Sequence, residues 1–160
     1  MNSEAPTSTS PQLSPPVRDW LHQFDAASRS AHAETVADLF SDVFLTADPR
    51  TVVPVPRAAF AGALPGRRDL FRSAGLGEPR LVAASETRLD AVHTVLRTEW
   101  TVPPLPGADR AAAELASTFL LRHPPGEGIV AVAYLNERAL TDILAPGHPA
   151  HVVSPLAEGS

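Results

Sequence analysis

The sequence predicts an α+β fold in which N-terminal helices pack on a strongly curved antiparallel sheet. Two observations lead to it. Apolar residues recur at helical spacing through most of the first 75 positions, and from Pro79 the apolar period changes from 3.6 to 2 and stays there nearly to the end. Helices followed by a run of strands is the element order of an α+β domain. A chain of 160 residues is long enough for one such domain.

The two ends of the chain are predicted to lie outside that domain, which spans residues 17–144. Residues 1–16 are polar and rich in serine, threonine and proline, so they are expected to form a disordered arm. They carry neither the basic nor the apolar region of a signal peptide. Residues 145–160 are expected to form a loose C-terminal tail. Because the chain also has no cysteine, a cytoplasmic location is the simplest expectation.

The first half of the domain is predicted to be largely helical. Val17, Trp20, Leu21 and Phe24 define the buried face of a first helix. Residues 33–44 repeat the spacing and predict a second, shorter helix. The three prolines of 44–56 then allow only an irregular or edge strand. Helix resumes after Pro56, with an interruption expected at Pro65-Gly66 and a left-handed stop at Gly75.

The second half is predicted to form four strands, at about 80–88, 92–102, 113–123 and 129–136. The last two strands are apolar on both faces, whereas an antiparallel strand with one solvated face alternates between apolar and polar residues. Both faces of the sheet are therefore expected to be covered. Helices would cover one face, and a partner subunit or the far wall of a pocket would cover the other. The segment ERALTDIL is expected to add a final helical turn.

The layout of these segments resembles the nuclear transport factor 2-like superfamily, a cone-shaped α+β barrel shared by ketosteroid isomerase-like and polyketide cyclase-like proteins. The segments that carry the resemblance are WLHQFDAA, ETVADLFSDVF, FAGALPGRRDLFRSAGLG, ETRLDAVHTVLRTEW, LASTFLLR and VAYLN. The resemblance covers about residues 17–144. It implies a deep pocket between the helices and the concave sheet face, and frequently a homodimer through the other sheet face. It implies no particular reaction, because this scaffold hosts several.

The ketosteroid isomerase catalytic set cannot be transferred to this chain. Those enzymes pair a carboxylate base with a tyrosine donor, and the only tyrosine here is Tyr134, on the last strand. The aromatic residues are instead expected to line the pocket, with core packing as the alternative for those on the first helix. The expected lining residues are Trp20, Phe24, Phe60, Trp100, Phe119 and Tyr134.

Three polar residues on one strand face are the catalytic candidates. In a pocket, His93 could act as a general base, Arg97 could hold a carboxylate or enolate, and Glu99 could orient one of them. The alternative is a solvated or interfacial strand face that carries an Arg97–Glu99 pair. Strand alternation alone does not decide which face is inside, because a shift of one residue exchanges the two faces.

Two further polar sets carry the same ambiguity. On the first helix, Arg18, His22 and Asp25 share a face, which would allow a His–Asp dyad or simply a solvated surface. Four arginines around the third helix could bind an anionic ligand, or they could simply lie on a solvated helix face. These are Arg57, Arg67, Arg68 and Arg72.

Composition excludes several kinds of function. A net charge of −5 argues against nucleic acid or an anionic membrane as the main partner. The sequence contains no HExxH zinc motif, no dinucleotide fingerprint and no P-loop, so no metal or cofactor is expected. The leading hypothesis is a pocket protein that binds a small apolar or carboxylate-bearing metabolite. The alternatives are a non-catalytic dimeric protein-interaction module and a cofactor-free isomerase or cyclase that uses acid–base chemistry.

Overall fold

The computed structural model describes residues 12–30 and 34–145, so the predicted arm and tail lie almost entirely outside the described residues. Within this part of the chain, no helix is long and apolar enough to cross a bilayer. The elements, in chain order, are α1 (Pro15–Arg29), α2 (Glu34–Ala37), β1 (Phe40–Ala47), β2 (Val52–Pro56), α3 (Arg57–Ser73), β3 (Arg80–Arg88), β4 (His93–Val102), β5 (Ala113–Arg122), β6 (Val130–Asn136) and α4 (Leu140–Leu144).

The predicted α+β class is confirmed, with a curved sheet that does not close. Its strand order is β2-β1-β6-β5-β4-β3. The four predicted strands of the second half become β3 to β6, with ends that agree to within one residue. The sheet differs from the expected antiparallel one at a single pair, because β1 runs parallel to β6. The first strand of the chain thus lies beside the last, and the sheet is mixed.

The second predicted helix is wrong over most of its length. Helix α2 ends at Ala37, and the strand β1 begins at Phe40. Phe40 and Phe44 are both buried, and this i,i+4 spacing places two side chains on one face of either a helix or a strand. The apolar spacing was therefore ambiguous here, and pairing with β6 and β2 determines that the segment is a strand.

Helix α3 is continuous through Pro65, so the interruption expected at that residue does not occur. Proline removes one intrahelical hydrogen bond, and the apolar face of the helix compensates because Leu64 and Phe71 are buried on either side of it. The helix ends as predicted at Gly75, whose φ is 77°. The N–H of Leu76 donates to the carbonyl of Phe71 at 2.9 Å and closes the C-terminal turn.

The core is an aromatic cluster between α1 and the inner face of the sheet. Trp20 stacks on Phe24 with ring centroids 5.4 Å apart and meets Phe119 edge-on at 4.9 Å. Phe119 in turn stacks on Tyr134 at 4.7 Å. The indole N–H of Trp20 donates to the carbonyl of Leu39 at 3.1 Å. Aromatic contacts each contribute about 0.5–1.5 kcal/mol beyond burial, so this cluster fixes α1 over β5 and β6.

Candidate functional site

A cavity of about 510 Å³ lies between α1, α3 and the inner face of β4 to β6. Its size is within the range of small-molecule sites, about 300–1,000 Å³. This is the place where the sequence predicted a pocket. The lining residues are Phe24, Asp25, Ser28, Arg29, Phe60, Leu64, Arg67, Arg68, Phe71, Arg72, Gly77, Glu78, Pro79, Arg80, Trp100, Pro103, Pro104, Leu105, Pro106, Leu115, Ser117 and Tyr134.

The deep wall of the cavity is built by the inward face of the sheet. On β4, the residues that point inward and are buried alternate as Leu96, Thr98 and Trp100. The indole N–H of Trp100 donates to Oγ1 of Thr98 at 2.8 Å, and that hydroxyl donates to the carbonyl of Ser117 at 3.2 Å. This chain of hydrogen bonds fixes the orientation of the Trp100 ring, which lines the cavity together with Phe24 of α1.

Two hydroxyl groups belong to residues of this deep wall, and their bonding differs. The Ser117 hydroxyl donates to Oδ1 of Asn136 at 2.9 Å. Tyr134 is only 5% exposed, yet its hydroxyl has no hydrogen-bond partner among residues 12–30 and 34–145. Among the described residues, the buried side-chain atom without a partner is Oγ of Ser28, which also lines the cavity, and leaving such an atom unpaired costs about 1–3 kcal/mol. The hydroxyl of Tyr134 is not fully buried, so it is free to bond to a molecule in the cavity.

Arginine side chains line the more exposed part of the cavity, which we call the mouth. Two of them are held by neighbours on the protein. Arg29 binds the carboxylate of Asp25 at 2.9 Å and also donates to the carbonyl of Pro79. Arg68 donates to the carbonyls of Ser28 and Ser30 at the C-terminal end of α1. Both therefore contribute to packing α1 against its neighbours.

Three other arginines at the mouth are not held in this way. Arg67, Arg72 and Arg80 have no ion pair and no hydrogen bond from their side chains within the described part of the chain. The guanidinium of Arg67 lies over the ring of Phe71, 5.7 Å from its centroid, and this cation–π contact orients it. With five arginines and two carboxylates, the lining carries a formal charge of +3, whereas the whole chain carries −5.

Four of the six aromatic residues expected in the pocket line the cavity. They are Phe24, Phe60, Trp100 and Tyr134. Trp20 and Phe119 lie behind them, each at most 1% exposed, and form the core that supports the wall. Which of these aromatic residues line the cavity and which lie in the core depends on the three-dimensional packing.

The three catalytic candidates lie on the sheet face opposite the cavity, because Trp100 and its alternate neighbours on β4 point inward. Arg97 donates to Glu137 at 2.7 Å and to Glu99 at 2.5 Å. The pKa of Arg97 is raised chiefly by its hydrogen bond with Glu137 and secondarily by its hydrogen bond with Glu99. The hydrogen bond with Arg97 in turn lowers the pKa of Glu137. The structure therefore brings Arg97 and Glu99 together, as the alternative interpretation of this strand face expected.

His93 is separated from the other two candidates and interacts with Asp90 in the turn before β4, with Nδ1 2.9 Å from a carboxylate oxygen. The pKa of Asp90 is lowered to about 2, chiefly by the backbone N–H of Val92 and then by the side chain and backbone of His93. This arrangement closes the hairpin turn between β3 and β4. It is remote from the cavity lining.

The remaining polar sets divide in a similar way. His22 is exposed on α1, and Asp25 is engaged by Arg29, so the structure forms an Asp–Arg pair in place of a His–Asp dyad. Arg57 pairs with Asp42 at 3.3 Å and does not line the cavity, whereas the other three arginines of its predicted group do. Among the described residues, no three His, Asp or Glu side chains are placed to hold a metal ion.

Several lining residues were not among the candidates from the sequence. Arg80 and Ser117 lie within predicted strands 80–88 and 113–123, and no role in a site was expected for them. The segment 103–106, PPLP, follows the predicted strand 92–102 and was not expected to line a cavity either. Placing that loop requires the isolated bridge between Leu76 and Pro104, which is not visible in the sequence.

No protein-family model and no curated protein matches this sequence. Among solved structures, a nuclear transport factor 2-like protein with a cystatin-like fold from Novosphingobium aromaticivorans is 19% identical, with a TM-score of 0.59 over 82% of this chain and 88% of that one. Related structures from Shewanella oneidensis and Cytophaga hutchinsonii are 10% and 12% identical, with TM-scores of 0.56 and 0.55. They cover 76% and 77% of this chain, and 96% and 95% of their own. The chain therefore has the nuclear transport factor 2-like fold.

Proposed function

We propose that the protein binds a small, partly apolar molecule in the cavity between its helices and its sheet. The observation that carries the proposal is a cavity whose aromatic and aliphatic lining also holds the hydroxyls of Tyr134 and Ser28, which are unpaired among the described residues. An apolar cavity with few polar groups, each placed by a rigid element, is the usual form of a ligand site. Trp100 and Phe24 supply flat surfaces for a planar ligand.

Binding without chemistry is favoured over an isomerase or cyclase activity. Of the lining residues, all within the described chain, none is a histidine, and the carboxylates are Asp25 and Glu78. Asp25 already accepts two hydrogen bonds from Arg29, at 2.9 and 3.3 Å. A general base needs a free lone pair within reach of the substrate proton, and both carboxylate oxygens of Asp25 already accept from Arg29. His93 lies on the other sheet face.

The outer sheet face supports a homodimer as the form in which the protein acts. Leu45 and Leu135 are 48% and 43% exposed there, on the adjacent strands β1 and β6, and Val43 and Val52 extend the surface. Leu120 and Ala133, which pair directly across β5 and β6, continue it toward the sheet centre. Contiguous apolar surface of this kind marks an interaction site, and a second copy of the same face would cover it.

A ligand screen with matched variants tests the binding proposal. Small aromatic and polyketide-like compounds are added to wild-type protein, and the melting temperature is recorded; a ligand at a hundred times its Kd stabilises the fold by about 2.7 kcal/mol. For any hit, we expect Tyr134→Phe to weaken binding by about 5–10-fold, the equivalent of one hydrogen bond, while the variant folds normally. The control Glu99→Gln, on the outer face, should bind as the wild type does. Equal affinity for all three proteins would contradict the proposed site.

A further inference from the structure

We infer that the ligand is an aromatic acid: a planar apolar body with an anionic oxygen group at the mouth of the cavity, near Arg67, Arg72 and Arg80, and a polar oxygen at the far end, near Tyr134. This inference depends on the proposed binding function and specifies the ligand class. The unpaired arginines around the cavity are the reason to expect an anionic group on the ligand. The unpaired hydroxyl of Tyr134 is the reason to expect a second polar oxygen.

The arginines are concentrated at the cavity beyond what packing requires. The chain has 13 arginines and no lysine, and five of the 13 line this one cavity. Arg29 and Arg68 are used in the contacts of α1 with its neighbours. Arg67, Arg72 and Arg80 have no such use within residues 12–30 and 34–145, although the protein as a whole is acidic. Three uncompensated guanidinium groups at one opening favour an anionic partner.

Guanidinium groups also determine which anion fits. Each presents a planar set of N–H donors that matches two oxygens of a carboxylate or phosphate. The guanidinium of Arg67 lies 5.7 Å from the centroid of the Phe71 ring, and this cation–π contact is the one electrostatic or hydrogen-bonding interaction of its side chain in the described part of the chain. The head group would remain partly hydrated, because Arg72 and Arg80 are exposed. The acid is therefore placed at the surface, and the rest of the ligand extends inward.

The inner end of the cavity calls for a second polar atom on the ligand. Phe24 and Trp100 are buried and would contact the body of the molecule. Tyr134 also lines the cavity, and its unpaired hydroxyl can donate to or accept from a hydroxyl or carbonyl oxygen. The occupant that satisfies both ends is a bipolar aromatic molecule, such as a hydroxylated aromatic acid.

The test compares 6-hydroxy-2-naphthoate with its neutral analogue 6-hydroxy-2-naphthamide by titration calorimetry of the full chain. The wild type should bind the acid about tenfold more tightly or better, and the preference should decrease as salt rises. The double variant Arg67→Met/Arg72→Met should lose about tenfold in affinity for the acid and stay within about twofold for the amide. The control Arg122→Met removes an exposed arginine that does not line the cavity, and it should change neither affinity.

The outcomes separate the inference from the proposed function. Equal binding of acid and amide, with Tyr134→Phe weakening both, would keep the binding site and overturn the anionic head group. Binding of neither compound at millimolar concentration would overturn both proposals. A further titration with 6-hydroxy-2-naphthyl phosphate identifies the head group: tighter binding than the naphthoate assigns a phosphate, and weaker binding assigns a carboxylate.

Discussion

Arg68 joins α3 to the end of α1, and its replacement by methionine should lower the stability of the protein measurably. Its Nε and Nη2 donate to the carbonyl of Ser28 at 3.1 and 2.7 Å, and Nη2 also donates to the carbonyl of Ser30 at 2.5 Å. These carbonyls lie at the C-terminal end of a helix, where the last acceptors have no intrahelical donors and where a positive charge is favourable. Methionine keeps the apolar stem and removes every donor.

The expected loss is about 2 kcal/mol in the free energy of unfolding. A hydrogen bond that involves a charged group contributes about 1.5–3 kcal/mol net, and the contacts of Arg68 serve two acceptors at a half-buried site. Water will reach part of this site in the variant and replace some of the lost bonding, so the expected loss is close to that of one charged hydrogen bond. For a domain of this size, about 2 kcal/mol corresponds to a decrease of roughly 4–8 °C in Tm.

Chemical denaturation of wild type, Arg68→Met and Arg67→Met measures this directly. Arg67 precedes Arg68 on the same helix and touches only Phe71, at 5.7 Å, so its replacement should cost less than about 1 kcal/mol. Each substitution removes one positive charge, but only Arg68→Met removes hydrogen bonds, whereas Arg67→Met removes a cation–π contact. If both variants lost the same stability, the joint between α1 and α3 would not have the role assigned to Arg68.

Three further predictions concern other parts of the molecule. Thr98→Val preserves shape but leaves the buried indole N–H of Trp100 unpaired, so denaturant titration should show a loss of about 1–3 kcal/mol; no loss would show that this N–H finds another acceptor. The pKa of Asp90 is lowered from 3.8 to about 2, chiefly by the N–H of Val92, so this carboxylate stabilises the fold above pH 3.8 and the contribution is lost as the pH falls through about 2. Asp90→Asn should therefore flatten the stability profile over that interval, and an unchanged profile would contradict the assignment. Leu135→Glu should convert a dimer into a monomer in sedimentation experiments, whereas a wild type that is already monomeric would contradict the proposed interface.

The sheet could be predicted from the sequence because its signal is unambiguous. From Arg80 to Asn136 the apolar period is 2, and turns separate the runs, so the four strands there agree with the structure to within one residue. The segment of β1 was not predictable in the same way. Phe40 and Phe44 satisfy the helical and the strand period equally, and only the pairing with the last strand decides between them. That pairing spans about 90 residues of sequence, and no local pattern reports it.

For the candidate site, the sequence indicates residues to consider but not how they are arranged. Aromatic residues on α1 and on the inward faces of the strands were expected around the cavity, and Phe24 and Trp100 are there. Which arginines reach the mouth depends on the rotation of α3 about its axis, which the continuous path through Pro65 determines. The interruption predicted at Pro65 would instead have allowed the second half of α3 to point in a different direction from the first half. Arg67 and Arg72 therefore could not be assigned to the cavity from their spacing alone.

The most direct test of the cavity as a ligand site is a crystal structure of the protein with bound 6-hydroxy-2-naphthoate. The account predicts the rings of the ligand against the edges of Phe24 and Trp100 that line the cavity, its hydroxyl within hydrogen-bond distance of Tyr134, and its carboxylate toward Arg67. A ligand bound instead on the outer sheet face, with the cavity closed by its own side chains, would contradict the account.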